Sequence, residues 1–230
     1  MASISPETLR TAFLIVVIFL VISLRVLLAR MGIARRTIAL VNLAVTGWLA
    51  LTGILSVQGF FRDFQATPPK IALVILPALL APFLIGCSRR LRPQIEQVPQ
   101  QLVIALQSFR VAVEIILYGL AAQHLLPEIM TWNGRNFDIL VGATAPIMAY
   151  FSFQENLARK KAVLIWNGLG LVILTNVVFH GLFSAPTAFQ IFHTDPANTI
   201  IAEFPFIWLP TFVVPMAYFL HIVSIRKSLP

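Results

Sequence analysis

Charged side chains are scarce in this sequence. Asp, Glu, Lys and Arg make up 11% of its 230 residues, where an ordinary soluble domain carries about 25%. A surface facing mostly water is therefore excluded. Cysteine is almost absent as well: Cys87 stands alone, which rules out an intramolecular disulfide and a thiolate metal cluster. No lysine lies within the core of an apolar run, so a retinal Schiff base of the rhodopsin type is excluded. There is no P-loop, nucleophile elbow, Rossmann fingerprint or H-E-x-x-H pattern. No cofactor or metal is implied.

Apolar sequence is abundant. Hydrophobic residues reach 58% and the mean hydropathy is +0.86. The apolar runs fall at 8–29, 37–58, 70–88, 101–124, 138–153, 162–183 and 204–225. About 20 such residues cross a hydrocarbon core of about 30 Å, and irregular backbone cannot face lipid. The expectation is an all-α polytopic membrane protein of seven transmembrane helices, forming one membrane domain over 1–230. The fifth run is the shortest. The run at the N-terminus has no basic n-region and no A-x-A site, so it reads as a span and not a signal peptide.

The net charge of +8 would suggest nucleic acid in a soluble protein. Here its distribution points to the bilayer. Twelve of the 17 basic residues fall in alternate loops and the tail: Arg25, Arg30, Arg35, Arg36, Arg89, Arg90, Arg92, Arg159, Lys160, Lys161, Arg226 and Lys227. Arg10, Arg62, Lys70 and Arg135 lie on the other side, and Arg110 is mid-span. The positive-inside rule then places the N-terminus outside and the C-terminus in the cytoplasm. A compact chain of this kind, without long loops, fits a plasma (inner) membrane, with lipid as its partner and no nucleic acid.

The first three and last three spans share features in order. Arg35-Arg36 precedes Asn42 as Lys160-Lys161 precedes Asn167, and Leu76-Pro77 with Pro82 matches Leu209-Pro210 with Pro215. These mark a candidate pair of parallel three-helix repeats, 8–88 and 138–230, joined by a linker helix at 101–124. That arrangement resembles the three-plus-one-plus-three layout of SWEET-type sugar transporters. The resemblance is confined to layout, and no residue is carried over from it.

Ionisable groups inside a span are costly and mark functional positions. On span four Gln107, Arg110, Glu114 and Tyr118 fall within a stripe about 80° wide. Arg110 and Glu114 lie one turn apart near the middle of the span and can pair. Arg before Glu is the less favourable order for pairing within one helix, so either can reach a neighbouring helix instead. This stripe is a candidate midplane site for a small polar or anionic solute at Arg110, or a proton at Glu114. The competing reading is a buried ion pair that fixes packing. Asn42 with Thr46, Asn167, and Asn176 with His180 add polar groups to spans two and six. They line a cavity on one reading and make interhelical hydrogen bonds on the other. Asp138 sits where an N-cap belongs, after a turn at Gly134 and an interfacial Trp132. His124, His180, His193 and His221 do not share one end of the bundle, which argues against a haem or zinc site.

Three functions remain open at this level. One is a small-solute or proton-linked transporter built on the stripe. Another is a non-catalytic subunit or sensor, as a homo-oligomer or with a membrane partner. The third is an intramembrane enzyme acting on a lipid-type substrate, with Glu114 and His180 as acid–base groups.

Overall fold

The computed structural model describes residues 4–153 and 157–229. The fold is all-α: it is 73% helical, and no strand occurs among the described residues. The helices are α1 (Pro6–Arg30), α2 (Arg35–Val57), α3 (Ala72–Gly86), α4 (Arg92–Gln97), α5 (Gln100–Leu106), α6 (Phe109–Ala122), α7 (Asp138–Phe151), α8 (Leu157–Phe183) and α9 (Val214–Ser228). Five stretches are long and apolar enough to cross a membrane, and six if α3 and the segment after it, bent by 57°, count as one.

Local chemistry explains the helix ends. Ser5 caps α1, its side-chain oxygen accepting from the Thr8 N–H at 3.2 Å, with Pro6 in the first turn. Both choices satisfy or remove backbone donors that an N-terminus leaves open. Leu9, Phe13, Val16, Val17, Leu20 and Leu27 are buried, at the three- and four-residue spacing of one helical face. That face packs on α6, and the Phe13 ring meets Phe206 at 5.1 Å.

Three boundaries differ from the sequence expectation. The fourth span is two helices, divided at Gln107 and Ser108, where the N–H groups of Gln107, Ser108, Arg110 and Val111 all bond three residues back. This tight, 3₁₀-like turn falls just before Arg110. The stretch between the expected third and fourth spans contains the short helix α4, which accommodates Pro93 in its first turn where a missing N–H costs nothing. The last span begins with a π-helical turn at Leu209–Val213 before α9, later than position 204. The linker between the fifth and sixth expected spans includes residues 154–156, which lie outside the described residues.

α7 has 14 residues, about 21 Å of helix, short of the roughly 30 Å of a hydrocarbon core. Its first residue, Asp138, is buried, so α7 starts inside the bundle and the preceding loop folds in to meet it. The stretch Leu209–Ser228 is the most enclosed, with 72% of its most apolar window buried against 50% for Gln100–Ala122 and 22% for Arg35–Val57. The centre of the bundle is therefore α9, packed on α3, α5 and α8.

The helix ends gather at two faces. At one, Lys227 donates to the Glu96 carbonyl, Gln100 to Ser228 and Gln101 to the Ser152 carbonyl. This is the face of the basic loops. At the other, Gln123 donates to the Ile4 carbonyl, and Arg10 and Arg62 both pair with Glu203.

Phe13→Ala should destabilise the protein by about 3 kcal/mol through the cavity it opens. Tyr150→Ala, at a position 73% exposed, should leave stability unchanged. Thermal melts in detergent distinguish the two.

Candidate functional site

Arg110 is among the largest fully buried side chains, 1% exposed. Its partner is Asp138 and not Glu114. Arg110 Nε donates to Asp138 Oδ2 at 2.7 Å, and Nη2 lies 2.7 Å from Oδ1, a two-point clasp between the planar guanidinium and the carboxylate. The physical reason lies in α7. Its buried N-terminus delivers a carboxylate from another helix, whereas an Arg-to-Glu step along α6 is poorly oriented. Gly142 makes this approach possible, because a β-carbon there would lie 2.8 Å from the Val111 nitrogen. Asp138 is thus the first residue of α7 and not its cap. The cap position is Phe137, and the Asp138 N–H donates to Asn136 Oδ1 at 3.0 Å.

The third side of the guanidinium faces α9. Arg110 Nη1 donates to His221 Nε2 at 2.9 Å. Guanidinium only donates, so Nε2 is the acceptor and the ring proton sits on Nδ1. That proton is donated to Asn167 Oδ1 at 2.8 Å. Asn167, fully buried on α8, donates in turn to Ser224 Oγ and the Val163 carbonyl, both at 2.8 Å. Ser224 accepts from Gln100 Nε2 at 2.7 Å, at the basic face. Gly170 gives the imidazole its place on α8, since any side chain there would run into the His221 ring.

Above Arg110, Glu114 is 1% exposed. Its Oε1 accepts from Asn136 Nδ2 at 2.7 Å, and the same Nδ2 reaches the Met130 carbonyl at 3.0 Å. Glu114 Oε2 is buried with no hydrogen-bond partner. Among the described residues Glu114 has no ion-pair partner. Eight polar side chains thus form one line: Glu114, Asn136, Asp138, Arg110, His221, Asn167, Ser224 and Gln100.

Two spaces adjoin this line. A void of about 30 Å³ lies against Arg110, Glu114 and Asp138, its other walls apolar residues of α6, α8 and α9. It has room for water but none for an organic solute. A larger polar cavity of about 250 Å³ opens on the face opposite the basic loops, lined by Tyr118, His124, Glu128, Thr131, Asn133 and Asp195 among others.

The other residues singled out from sequence take separate places. Gln107 is buried at the α5–α6 turn and donates to the Ala217 carbonyl at 3.4 Å. Tyr118 leaves the buried stripe. It is 41% exposed and stacks on Trp132 of the following loop at 4.5 Å, while Leu117 and Leu120 beside it stay in the core. Asn42 and Asn167 are not brought together: the Asn42 oxygen is buried without a partner, while both ends of the Asn167 amide are bonded elsewhere. Thr46 bonds back to the Asn42 carbonyl within α2. Asn176 donates to the Arg135 carbonyl at 2.6 Å, and His180 bonds the Asn176 carbonyl and stacks on Phe192 at 4.8 Å. These two fasten loops and do not join Glu114. Among the described residues no three His, Cys, Asp or Glu side chains are grouped to hold a metal ion.

Sequence reasoning noted Asp138 and His221 but did not join them to Arg110, and it missed Asn136, Ser224 and Gln100. Small residues facing the polar ones, Gly142 and Gly170, were the available signal. Asp138→Asn should cost about 3–5 kcal/mol by leaving a buried guanidinium unpaired. Adding Arg110→Gln to that variant should recover much of the loss, and melts of the two single and one double variants measure the coupling.

No match was found among curated proteins or solved structures. Residues 68–228, from before α3 to the end of α9 and including every member of the polar line, match the family described as "Domain of unknown function (DUF8737)". The chain belongs to that family.

Proposed function

We propose that this is a seven-pass protein of a plasma (inner) membrane, N-terminus outside and C-terminus cytoplasmic, working as a proton-linked transporter of a small polar solute. Glu114 is the group that carries the proton. The crossing count is supported by the gathering of alternate helix ends at two faces, with α3 and α7 as the two short or bent crossings. The orientation rests on the twelve basic residues at one face.

The observation that carries the proton reading is the charge balance around Arg110. Arg110 and Asp138 neutralise one another, and His221 accepts from Arg110 as a neutral ring. Glu114 is left over, buried, with one oxygen held by Asn136 and the other without a partner, and it lines the small void. An unpaired carboxylate in such a place is costly, and a bound proton removes the cost. Losing that proton creates a buried anion that the closed arrangement does not satisfy. A shift of the Asn136 loop, admitting water or solute from the outer cavity, relieves it. Proton occupancy thereby selects between two arrangements.

The same loop supplies Glu128, Thr131 and Asn133 to that cavity, so proton state and vestibule shape are tied through Asn136. The solute enters there and not at Arg110, whose charge is paired with Asp138 and whose Nη1 is held by His221. In this reading Arg110 and Asp138 form the fixed post against which the loop moves.

Purified protein in liposomes loaded with a pH-sensitive dye tests this. Small polar solutes added outside should include one that drives proton movement through the parent protein. Glu114→Gln should abolish that movement while the fold, followed by its melting temperature, is retained. Solute-driven proton flux unchanged in Glu114→Gln would remove Glu114 from the mechanism.

A further inference from the structure

A second feature lies outside the polar line. An apolar groove of about 460 Å³ runs between α1, α2, α3 and α9. Its walls are small or rigid on one side, with Pro77, Ala78, Ala81 and Pro82 of α3, and α2 faces them across the gap with Val41 and Ala44. α2 packs chiefly on α1 and on the turn that follows α2 itself, so it stands off from α3 and α9 and the groove opens between them.

The groove extends over part of the bundle's height. On α3 it runs from Pro77 to Ile85, about 12 Å of helix axis, and opposite from Thr211 in the π-helical turn to Phe219 on α9. A hydrocarbon core is about 30 Å thick, so the groove matches the depth of one leaflet. A partner helix crossing the membrane would need a seam of full height. A chain from one leaflet does not.

The end of the groove near the basic face is ringed by cations. Leu28 on α1 is two residues from Arg30, Val41 on α2 follows Arg35 and Arg36, and Ile85 on α3 precedes Arg89 and Arg90. On α1 and α2 these separations of two to six residues amount to about 3–9 Å along the helix, and Arg89 and Arg90 follow the bend at the end of α3. All five arginines are exposed, and among the described residues none of them has an ion-pair partner. The α9 wall is different: Arg226 is bonded to the Gly86 and Ser88 carbonyls. Three of the four walls therefore end in guanidinium groups at headgroup level, where anionic lipids are attracted.

We propose that this groove is a binding site for one anionic phospholipid of the leaflet at the basic face. An acyl chain lies between α2 and α3, and the phosphate is held by the arginines at the ends of α1–α3. The proposal is independent of the proton reading.

The test is a melt of purified protein in neutral detergent with dioleoylphosphatidylglycerol, dioleoylphosphatidylcholine or inorganic phosphate. Phosphatidylglycerol should raise the melting temperature, in the manner of a ligand that binds only the folded state, and the other two should not. Ala81→Trp fills the groove and should remove the response. Ala44→Trp does so from the exposed α2 side, should the first variant fold poorly. Replacing Arg36 and Arg89 by Gln together should weaken the response while leaving the melt without lipid unchanged. Equal stabilisation by phosphatidylcholine would overturn the anionic headgroup, and equal stabilisation by phosphate would overturn the acyl chain. A lipid response kept in both tryptophan variants would overturn the site. A dimeric parent made monomeric by Ala44→Trp would show that a second copy covers the groove instead.

Discussion

The rest of the interior is arranged around one buried guanidinium. Arg110 lies deep among apolar helices, where an unpaired charge would not be tolerated, and it engages two other helices directly and a third through one of them. Asp138 comes from α7, His221 from α9, and through His221 the amide of Asn167 from α8. The short α7 follows from this constraint, since its N-terminus must start at the depth of Arg110. The loop before it must then descend into the bundle, bringing Asn136 to Glu114. The glycines at 142 and 170 are the steric counterpart: each leaves space on its helix where a polar side chain must lie close.

Much of this was legible in the sequence, and the illegible part has a common cause. Long apolar runs specify helices of spanning length, so the helical class and the approximate limits of α1, α2 and α8 could be read directly. Arg110 and Glu114 stood out as ions in apolar surroundings. Which partner each would take could not be read, because pairing depends on how helices distant in sequence are set against each other. Asp138 looked like a cap from its local context. A tertiary contact with a residue 28 positions away decided its role. Asn167, matched to Asn42 in the candidate repeat, serves His221, since α8 packs on α9 more extensively than on any other helix. The break at Gln107–Ser108 and the late start of α9 carry no clear sequence signal, as polar and proline residues are tolerated in continuous membrane helices too.

The polar cavity and the apolar groove differ in chemistry. The cavity opposite the basic face is polar and bounded by the loop that holds Asn136, so its shape is linked to Glu114. The groove beside α2 is apolar and lies across the bundle from α7, with no member of the polar line in its walls. The proposed solute and proton belong to the first, and the proposed lipid to the second. α2, the least enclosed of the candidate spans, is then held against the bundle partly by what fills the groove.

The proton on Glu114 is the claim on which the functional account stands. Infrared difference spectroscopy of the protein in lipid, taken between neutral and alkaline pH, observes it directly. The account predicts a protonated-carboxyl band at neutral pH that is lost on alkalinisation and is missing from Glu114→Gln. Identical difference spectra for parent and variant would contradict it.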